Sequence, residues 1–408
     1  MHISLDSALG QQRRLNSVGE SITQIAPDPA AAYSLRSLTG GDPKVVRVRR
    51  ESDNTERDFT ASGVSSGAMV DFVNGILTVG TAVNGTGSVD NYTVTGASTT
   101  GFSADNSAGG IGSAGFPYTF AINDVMVVRY TVTNFSSTSS LSPNLRGVNA
   151  LNSTTGKTNS GTTITANGTY TDTLTAIADG THLMFADGNT GSYTISDFEI
   201  VSHSSNGFVE TWYDQSGNGN DVTQTTSTKQ PKIVNSGSLV TVNSKASFKF
   251  DGTDDFLERE TYAQGTLFQP NTFFSVAKLD ANDDENRKIY DSHLSTARNM
   301  LQLNPVGNGQ FAHFAGTVVA TGEDADADRH LFTSLLNGAA SRLRIDSTQK
   351  STANPSTTAM TGIVIGANHD TAQSFWDGDI QEIIVYNSNQ TSNFTALEGN
   401  INSHYSIF

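Results

Sequence analysis

Carboxylate side chains are the residues of this sequence that could carry out chemistry. Pairs of carboxyl groups hydrolyse glycosidic bonds when one is the nucleophile and the other the acid, and clusters of oxygen ligands suit calcium. Three acidic clusters occur in the C-terminal half of the chain. They comprise Asp251, Asp254, Asp255, Glu258 and Glu260; Asp280, Asp283, Asp284 and Glu285; and Glu323, Asp324, Asp326 and Asp328.

None of these clusters has the spacing of a known catalytic or metal-binding motif. Glu258 and Glu260 alternate, so on a strand both would lie on one face, and a solvated strand face explains them without a function. The other two clusters lack the Asp-x-Asp-x-Asp-Gly order of an EF-hand, and histidines such as His182, His203 and His313 show no paired spacing. We therefore predict no metal site and no cofactor, and leave calcium in the acidic loops open.

Aromatic residues beside hydrogen-bonding side chains could bind a sugar, because a ring can stack on a pyranose face. The alternative is burial in a sandwich core, the more frequent position of an aromatic residue. The candidates for carbohydrate binding are Trp376 with the adjacent Asp377, and Tyr92, Phe102 and Tyr118.

Composition narrows the partners of this chain of 408 residues. Its net charge of −16 repels phosphate backbones and anionic lipid, so we expect no nucleic acid and no membrane insertion. The absence of cysteine excludes disulfides and thiolate chemistry. The first residues lack the basic and apolar regions of a secretory signal, which predicts synthesis and release in a cytoplasm.

The N-terminal region predicts a helix from Leu5 to Ile25. Leu15, Val18, Ile22 and Ile25 step by three or four residues and form one apolar seam. So short a helix must dock on something. It either packs on its own domain or serves as a docking and oligomerisation element, for which a trimer is one arrangement.

Beyond this helix the pattern is that of an all-β protein. Frequent Asn-Gly and Asp-Gly pairs mark tight turns between short strands, and a short helix is predicted at Phe394 to Tyr405. The Ser/Thr-rich stretch from about residue 75 to 205 has strand patterns at Asp124–Val132 and Tyr193–Ile200, which favour a folded sandwich over a disordered stalk.

Two motifs carry a resemblance to known families. The opening Ala32–Leu38 with Val46–Asn54, and the segment Phe208–Asp221 (FVETWYDQSGNGND), resemble the catalytic β-sandwich of the arabinofuranosidase B family. The same pair, with Phe250–Leu257 and Phe375–Tyr386, is similar to bacteriophage structural proteins that have concanavalin A-like or laminin-G-like jelly rolls. The inserted stretch resembles carbohydrate-binding modules in pattern.

The resemblance implies a concanavalin A-like jelly roll interrupted by a second β-sandwich. The expected domains are a docking helix at 1–28, a jelly roll at 29–74 plus 206–408, and the inserted sandwich at 75–205. It further implies a virion surface protein, assembled in the host cytoplasm with other tail or capsid proteins as a homo-oligomer. Its expected function is that of a tail fibre or receptor-binding component that recognises host surface polysaccharide.

Two alternatives stay open: a capsid decoration or head-fibre protein without an obligatory ligand, and a glycan-degrading enzyme. The arabinofuranosidase family carries a vicinal cysteine pair at its sugar site, and this sequence has no cysteine. Its acidic nucleophile segment has no counterpart here either. The sequence therefore predicts that the chain is not an enzyme, and that Tyr213 and Asp214 form a hydrogen-bonded turn with Ser216 and Asn218.

Overall fold

The computed structural model describes residues 20–75, 78–86, 90–106, 109–137, 144–153, 155–187, 191–282, 285–304 and 309–408. Within these residues the regular secondary structure is mostly antiparallel β-strand, as predicted. The helices are α1 Ile22–Ile25, α2 Ala61–Ser65, α3 Ala68–Asn74 and α4 Phe394–Tyr405. Among the described helices, none has the length and apolar character needed to cross a bilayer.

Thirty strands are described. They are β1 Ala31–Ser34, β2 Lys44–Arg50, β3 Glu56–Thr60, β4 Val83–Asn84, β5 Thr93–Thr95, β6 Phe102–Asn106, β7 Gly112–Phe120, β8 Val125–Ser137, β9 Asn144–Val148, β10 Gly168–Thr175, β11 Gly180–Asp187, β12 Gly191–Ser204, β13 Gly207–Trp212, β14 Val222–Thr223, β15 Lys232–Asn235, β16 Ser238–Leu239, β17 Thr241–Val242, β18 Lys245–Ala246, β19 Phe248–Asp251, β20 Leu257–Arg259, β21 Asn271–Leu279, β22 Arg287–Asp291, β23 Met300–Asn304, β24 Gln310–Phe314, β25 Val318–Ala320, β26 Arg329–Leu336, β27 Arg342–Ile345, β28 Thr348–Ser351, β29 Ile363–Ile365 and β30 Asp377–Tyr386.

The larger part of the chain, here called the body, comprises β1 to β3 and β13 to β30. Apart from the small β17–β18 hairpin, its strands form one hydrogen-bonded network that closes on itself. Strand β30 is its spine, because it pairs with β21 along one edge and with β1 and β19 along the other. The core inside this network includes Trp212, Phe248 and Trp376. The predicted all-β jelly-roll architecture is confirmed.

The stretch from β4 to β12, here called the inserted stretch, forms two sheets of its own. One sheet has the order β10-β8-β12-β6-β5 and the other β4-β7-β11-β9. A separate apolar core between them is rich in aromatic residues, including Phe116, Tyr130 and Phe185. The chain leaves and re-enters the body at one place, where the Asn74 side chain accepts a hydrogen bond from the Ser205 N–H at 3.4 Å and donates one to the Gly237 carbonyl at 3.1 Å.

A polar turn after β13 ties the N-terminal strand into the body. The Asp214 carboxylate accepts hydrogen bonds from the backbone N–H groups of Ala32, Ser216 and Asn220 and from the Ser216 hydroxyl, at 2.6 to 3.0 Å. Asn218 in turn donates to the Ser216 hydroxyl. The predicted turn is therefore present around Asp214, whereas the Tyr213 hydroxyl donates to Asp58 on β3 at 2.7 Å.

The structure describes the predicted N-terminal region only from residue 20. Helix α1 begins there at Ile22, after the extended N-cap Ser21, so the prediction of a continuous helix from Leu5 to Ile25 is wrong at residues 20 and 21. Ile22 is fully buried in a cluster with Leu397 and Ile401 of α4, and Ile25 packs against the same cluster. These two seam residues therefore contact their own chain, which is the first of the two arrangements expected from the sequence. The other seam residues, Leu15 and Val18, lie outside the described residues.

We expect Asp214→Ala to destabilise the body strongly. The substitution removes the carboxylate that accepts four hydrogen bonds, three of them from backbone N–H groups. We expect this loss to lower the free energy of unfolding by on the order of 3 kcal/mol or more. Urea unfolding followed by tryptophan fluorescence measures the loss. The matched control is Asp328→Ala on an exposed loop, where we expect a change within about 0.5 kcal/mol. Equal midpoints for the two variants would contradict the role of this turn.

Candidate functional site

A large concavity lies between the body and the inserted stretch. This cleft has a volume of about 1160 Å³. Its floor comes from neighbouring strands of the body, and the inserted stretch lines it with residues 119–122 at the end of β7, residues 179–181 at the start of β11, and Asn149. A volume somewhat above the usual range for small-molecule pockets suits an extended ligand.

A cross-strand row of side chains forms the floor. Arg49 on β2 is the register partner of Phe208 on β13, and Phe208 is also the partner of Lys232 on β15. Lys232 is in turn the partner of Lys249 on β19, and Lys249 is the partner of Asp379 on β30. Directly opposed residues of antiparallel strands lie on the same face. Five strands that are distant in sequence thus bring three cations, one ring and one carboxylate into a single line.

Phe208 is flanked by two cations. The guanidinium carbon of Arg49 lies 4.9 Å from the centroid of its ring and the ammonium of Lys232 lies 5.7 Å from it, both within the range of cation–π attraction. The ring is half-buried and lines the cleft. Phe208 is therefore the aromatic side chain of the floor.

The cations of the row differ in their partners. Arg49 is 7% exposed and donates to Gln230 Oε1 at 2.7 Å, Asn54 Oδ1 at 2.9 Å and the Ser227 carbonyl at 3.1 Å. Lys249, by contrast, forms ion pairs with Asp280 and with Asp379, the latter at 3.8 Å. Burial is the main influence on Arg49 and lowers its pKa, against smaller opposing effects of nearby glutamates.

An acidic group lies beside the row. Carboxylate oxygens of Asp251, Asp254 and Asp255 lie within 4.8 Å of one another, a separation at which they could hold a cation, and Asp251 and Asp255 line the cleft. Burial, followed by repulsion from Asp251, raises the pKa of Asp255 to about 8. One carboxyl group of the cleft therefore carries a proton at neutral pH.

The structure corrects the predicted sugar-stacking residues. Trp376 is fully buried in the body core, and Tyr92, Phe102 and Tyr118 are at most 7% exposed in the inserted stretch. Since their rings pack within the two parts, they present no free face to a sugar. Asp377 is half-buried on β30 opposite Asp251, at the acidic group.

Among the other predicted acidic residues, Glu258, Glu260 and Asp326 do not line the cleft, and Asp283 and Asp284 lie outside the described residues. Glu258 on β20 lies 3.1 Å from His293, and Glu260 is exposed beyond the end of that strand. The His330 side chain forms hydrogen bonds with Asp326 at 2.8 Å and with Asp346 at 2.6 Å. The predicted strand face would need both glutamates on one strand, and β20 ends at Arg259, before Glu260.

Sequence reasoning missed Arg49, Phe208, Lys232 and Lys249. Each occupies an outward position of a strand whose neighbours point to the core, so the alternation in Val46–Arg50 and Phe248–Asp251 was a usable signal. What no local pattern supplied was the order of the strands that places these residues in one line.

No family model matches the chain, and no curated protein is similar to it. Among solved structures it is similar to an arabinofuranosidase in complex with arabinofuranosyl-alpha-1,2-xylobiose, with 15% identity, a TM-score of 0.38, and coverage of 70% of this chain and 63% of that one. A Trypanosoma rangeli sialidase has 13% identity, a TM-score of 0.34 and coverage of 46% and 30%. A SAP-like pentraxin from Limulus polyphemus has 10% identity, a TM-score of 0.28 and coverage of 38% and 82%.

This finding corrects the prediction that the chain is not an enzyme. Glycosidases are among the solved structures to which it is similar. None of the three proteins above is a phage component, and the virion location stays a prediction of the sequence.

The protonated state of Asp255 should make stability depend on pH. Between pH 3.8 and about 8 the folded protein holds a proton on this group that the unfolded chain releases, so the free energy of unfolding falls as pH rises through that window, by at most about 1.4 kcal/mol per pH unit. Denaturant titrations at several pH values should show a flatter profile for Asp255→Asn. Asp328→Asn, on an exposed loop, is the control and should keep the wild-type slope; a wild-type slope in Asp255→Asn would contradict the assignment.

Proposed function

We propose that the protein binds a glycan in the cleft between the body and the inserted stretch. The observation that carries this proposal is the row Arg49, Phe208, Lys232, Lys249 and Asp379 along the cleft floor. A sugar has an apolar face and a rim of hydroxyl groups. A half-buried ring flanked by donors and acceptors is complementary to both.

The walls support the same ligand. Asn54 places an amide group beside Arg49, and the inserted stretch contributes Asn149 and Thr181, while Ile122 is 44% exposed beside them. Amide and hydroxyl groups donate and accept hydrogen bonds, which matches the alternating needs of sugar hydroxyls. Display of this cleft on a phage particle, which the resemblance implies, stays a prediction.

Phe208→Ala should weaken glycan binding about tenfold, because it removes the stacking surface of the floor. Binding to a glycan array, followed by calorimetry on the best ligand, measures the change. Phe268 is the matched control, since it is 70% exposed and does not line the cleft; Phe268→Ala should bind as wild type does. If both variants bind equally well, the ligand does not lie on this floor.

A second candidate function, glycosidase activity, is favoured by one observation. Asp251 and Asp255 both line the cleft, and Asp255 is protonated at neutral pH. A carboxylate oxygen of Asp251 lies within 4.8 Å of a carboxylate oxygen of Asp255. In retaining glycosidases the two carboxyl groups are about 5 to 5.5 Å apart. Asp255 would protonate the leaving glycosidic oxygen, Asp251 would form the glycosyl ester, and water would then release the sugar as Asp255 takes up the water proton.

We expect any sugar release to vanish in Asp255→Asn while glycan binding stays within about threefold of wild type. Asparagine keeps the acceptor that the Asp251 N–H uses but holds no transferable proton. Reducing-end assays on array-identified glycans measure release, and Asp254→Asn is the control that should retain it. Unchanged release in Asp255→Asn would remove this residue from the reaction, and no release by the wild-type protein would remove the activity.

A further inference from the structure

We propose that the ligand of the cleft is an acidic glycan, whose carboxylate or sulfate group binds between Arg49 and Lys232 at Phe208. This inference rests on the proposed function and adds the charge of the ligand to it. The two cations occur together because Phe208 is the register partner of both.

Arg49 is a buried cation whose direct partners are all neutral. It is 7% exposed, and its acceptors are two side-chain amide oxygens and one backbone carbonyl. Within the described parts of the chain, no carboxylate lies within ion-pairing distance of it. Glu51 and Glu56 act on Arg49 without forming an ion pair with it. A buried charge without a counter-charge in direct contact is costly, so a group that supplies a negative charge in direct contact is favoured there.

Arg49 also has donors left for a ligand. A guanidinium carries five N–H groups, and three hydrogen bonds from Arg49 are formed within the protein. Because the planar fork matches the two oxygens of a carboxylate or sulfate, the side chain can bind such a group while it stays held by Gln230 and Asn54.

Lys232 has the same character on the other side of the ring. Its ammonium forms a hydrogen bond with Asn235 Oδ1 at 3.3 Å, and no ion pair joins it to a described carboxylate. It is also the register partner of Lys249, and like charges directly opposed destabilise a sheet. Lys249 is neutralised by Asp280 and Asp379, which leaves Lys232 as the cation that an anionic ligand would compensate.

Five acidic residues line the cleft. Asp379 is paired with Lys249, burial raises the pKa of Glu51, which acts on Arg49 and Lys232 without an ion pair, and Asp255 is mostly neutral at pH 7 because burial raises its pKa to about 8. Asp179 lies on the inserted stretch, and Asp251 lies on β19 beside Asp255. The overall charge of −16 acts at long range and is screened beyond about 8 Å at physiological salt. Short-range contacts with Arg49 and Lys232 therefore decide the sign of the ligand.

The test compares acidic glycans with their own neutral forms. Immobilised uronate, sialylated and sulfated polysaccharides are each paired with the carboxyl-reduced, desialylated or desulfated form, and retention of the intact protein is measured. We expect at least one acidic member to bind about tenfold tighter than its neutral counterpart. Lys232→Gln should abolish most of that difference, and Lys232→Arg should restore it.

Lys44→Gln is the matched control, because Lys44 is an exposed cation of β2 outside the cleft and is paired with Asp58. It should retain the preference, and all variants should unfold at the wild-type denaturant midpoint. Equal affinity for acidic and neutral members, both lost in Phe208→Ala, would overturn the acidic-ligand inference and leave the proposed function in place. Absence of binding to every glycan would overturn both.

Discussion

The strand register of the body sheet is the constraint on which the site depends. Side chains alternate between the two faces of a strand, so a slip of one residue would turn the whole row of the cleft floor into the core and expose its apolar neighbours. On β2, Val46 and Val48 are fully buried while Arg49 faces the cleft. Burial of the apolar residues in the core therefore fixes the positions of the charged residues, although the charged residues contribute little to the core.

Hydrogen bonds outside the ladders hold this register at the ends of the strands. Asp214 secures the start of β1, and Gln215 accepts from the Leu38 N–H and donates to the carbonyls of Ser34 and Arg36. Strand β1 pairs with β30, which carries Asp379. The YDQSGNGND segment, which in the sequence resembles part of an enzyme scaffold, is in this chain a structural element that supports the cleft from a distance.

Much of the fold follows from local pattern, whereas the site does not. Alternation in Val125–Val132 and turn pairs such as Asn337-Gly338, between the paired strands β26 and β27, suffice to predict strands, and Asp214 with Ser216 suffices to predict a turn. The cleft floor combines residues 49, 208, 232, 249 and 379, and their proximity is created by pairing across long loops. The aromatic residues predicted to bind sugar were wrong for a physical reason. Trp376 and Phe102 have the size that a sandwich core needs. Phe208, at the start of its strand, carries no distinguishing local signal.

The positive and negative charges of the cleft floor lie at opposite ends of one line. At one end Arg49 and Lys232 flank the ring; at the other Asp251 and Asp255 lie beside the Lys249–Asp379 pair. Because Asp255 is held neutral by burial, the acidic end offers a proton where a fully ionised group would repel an anion. The acidic glycan that we propose would therefore lie with its charge at the Arg49 end and its hydroxyl or glycosidic oxygen atoms at the Asp255 end.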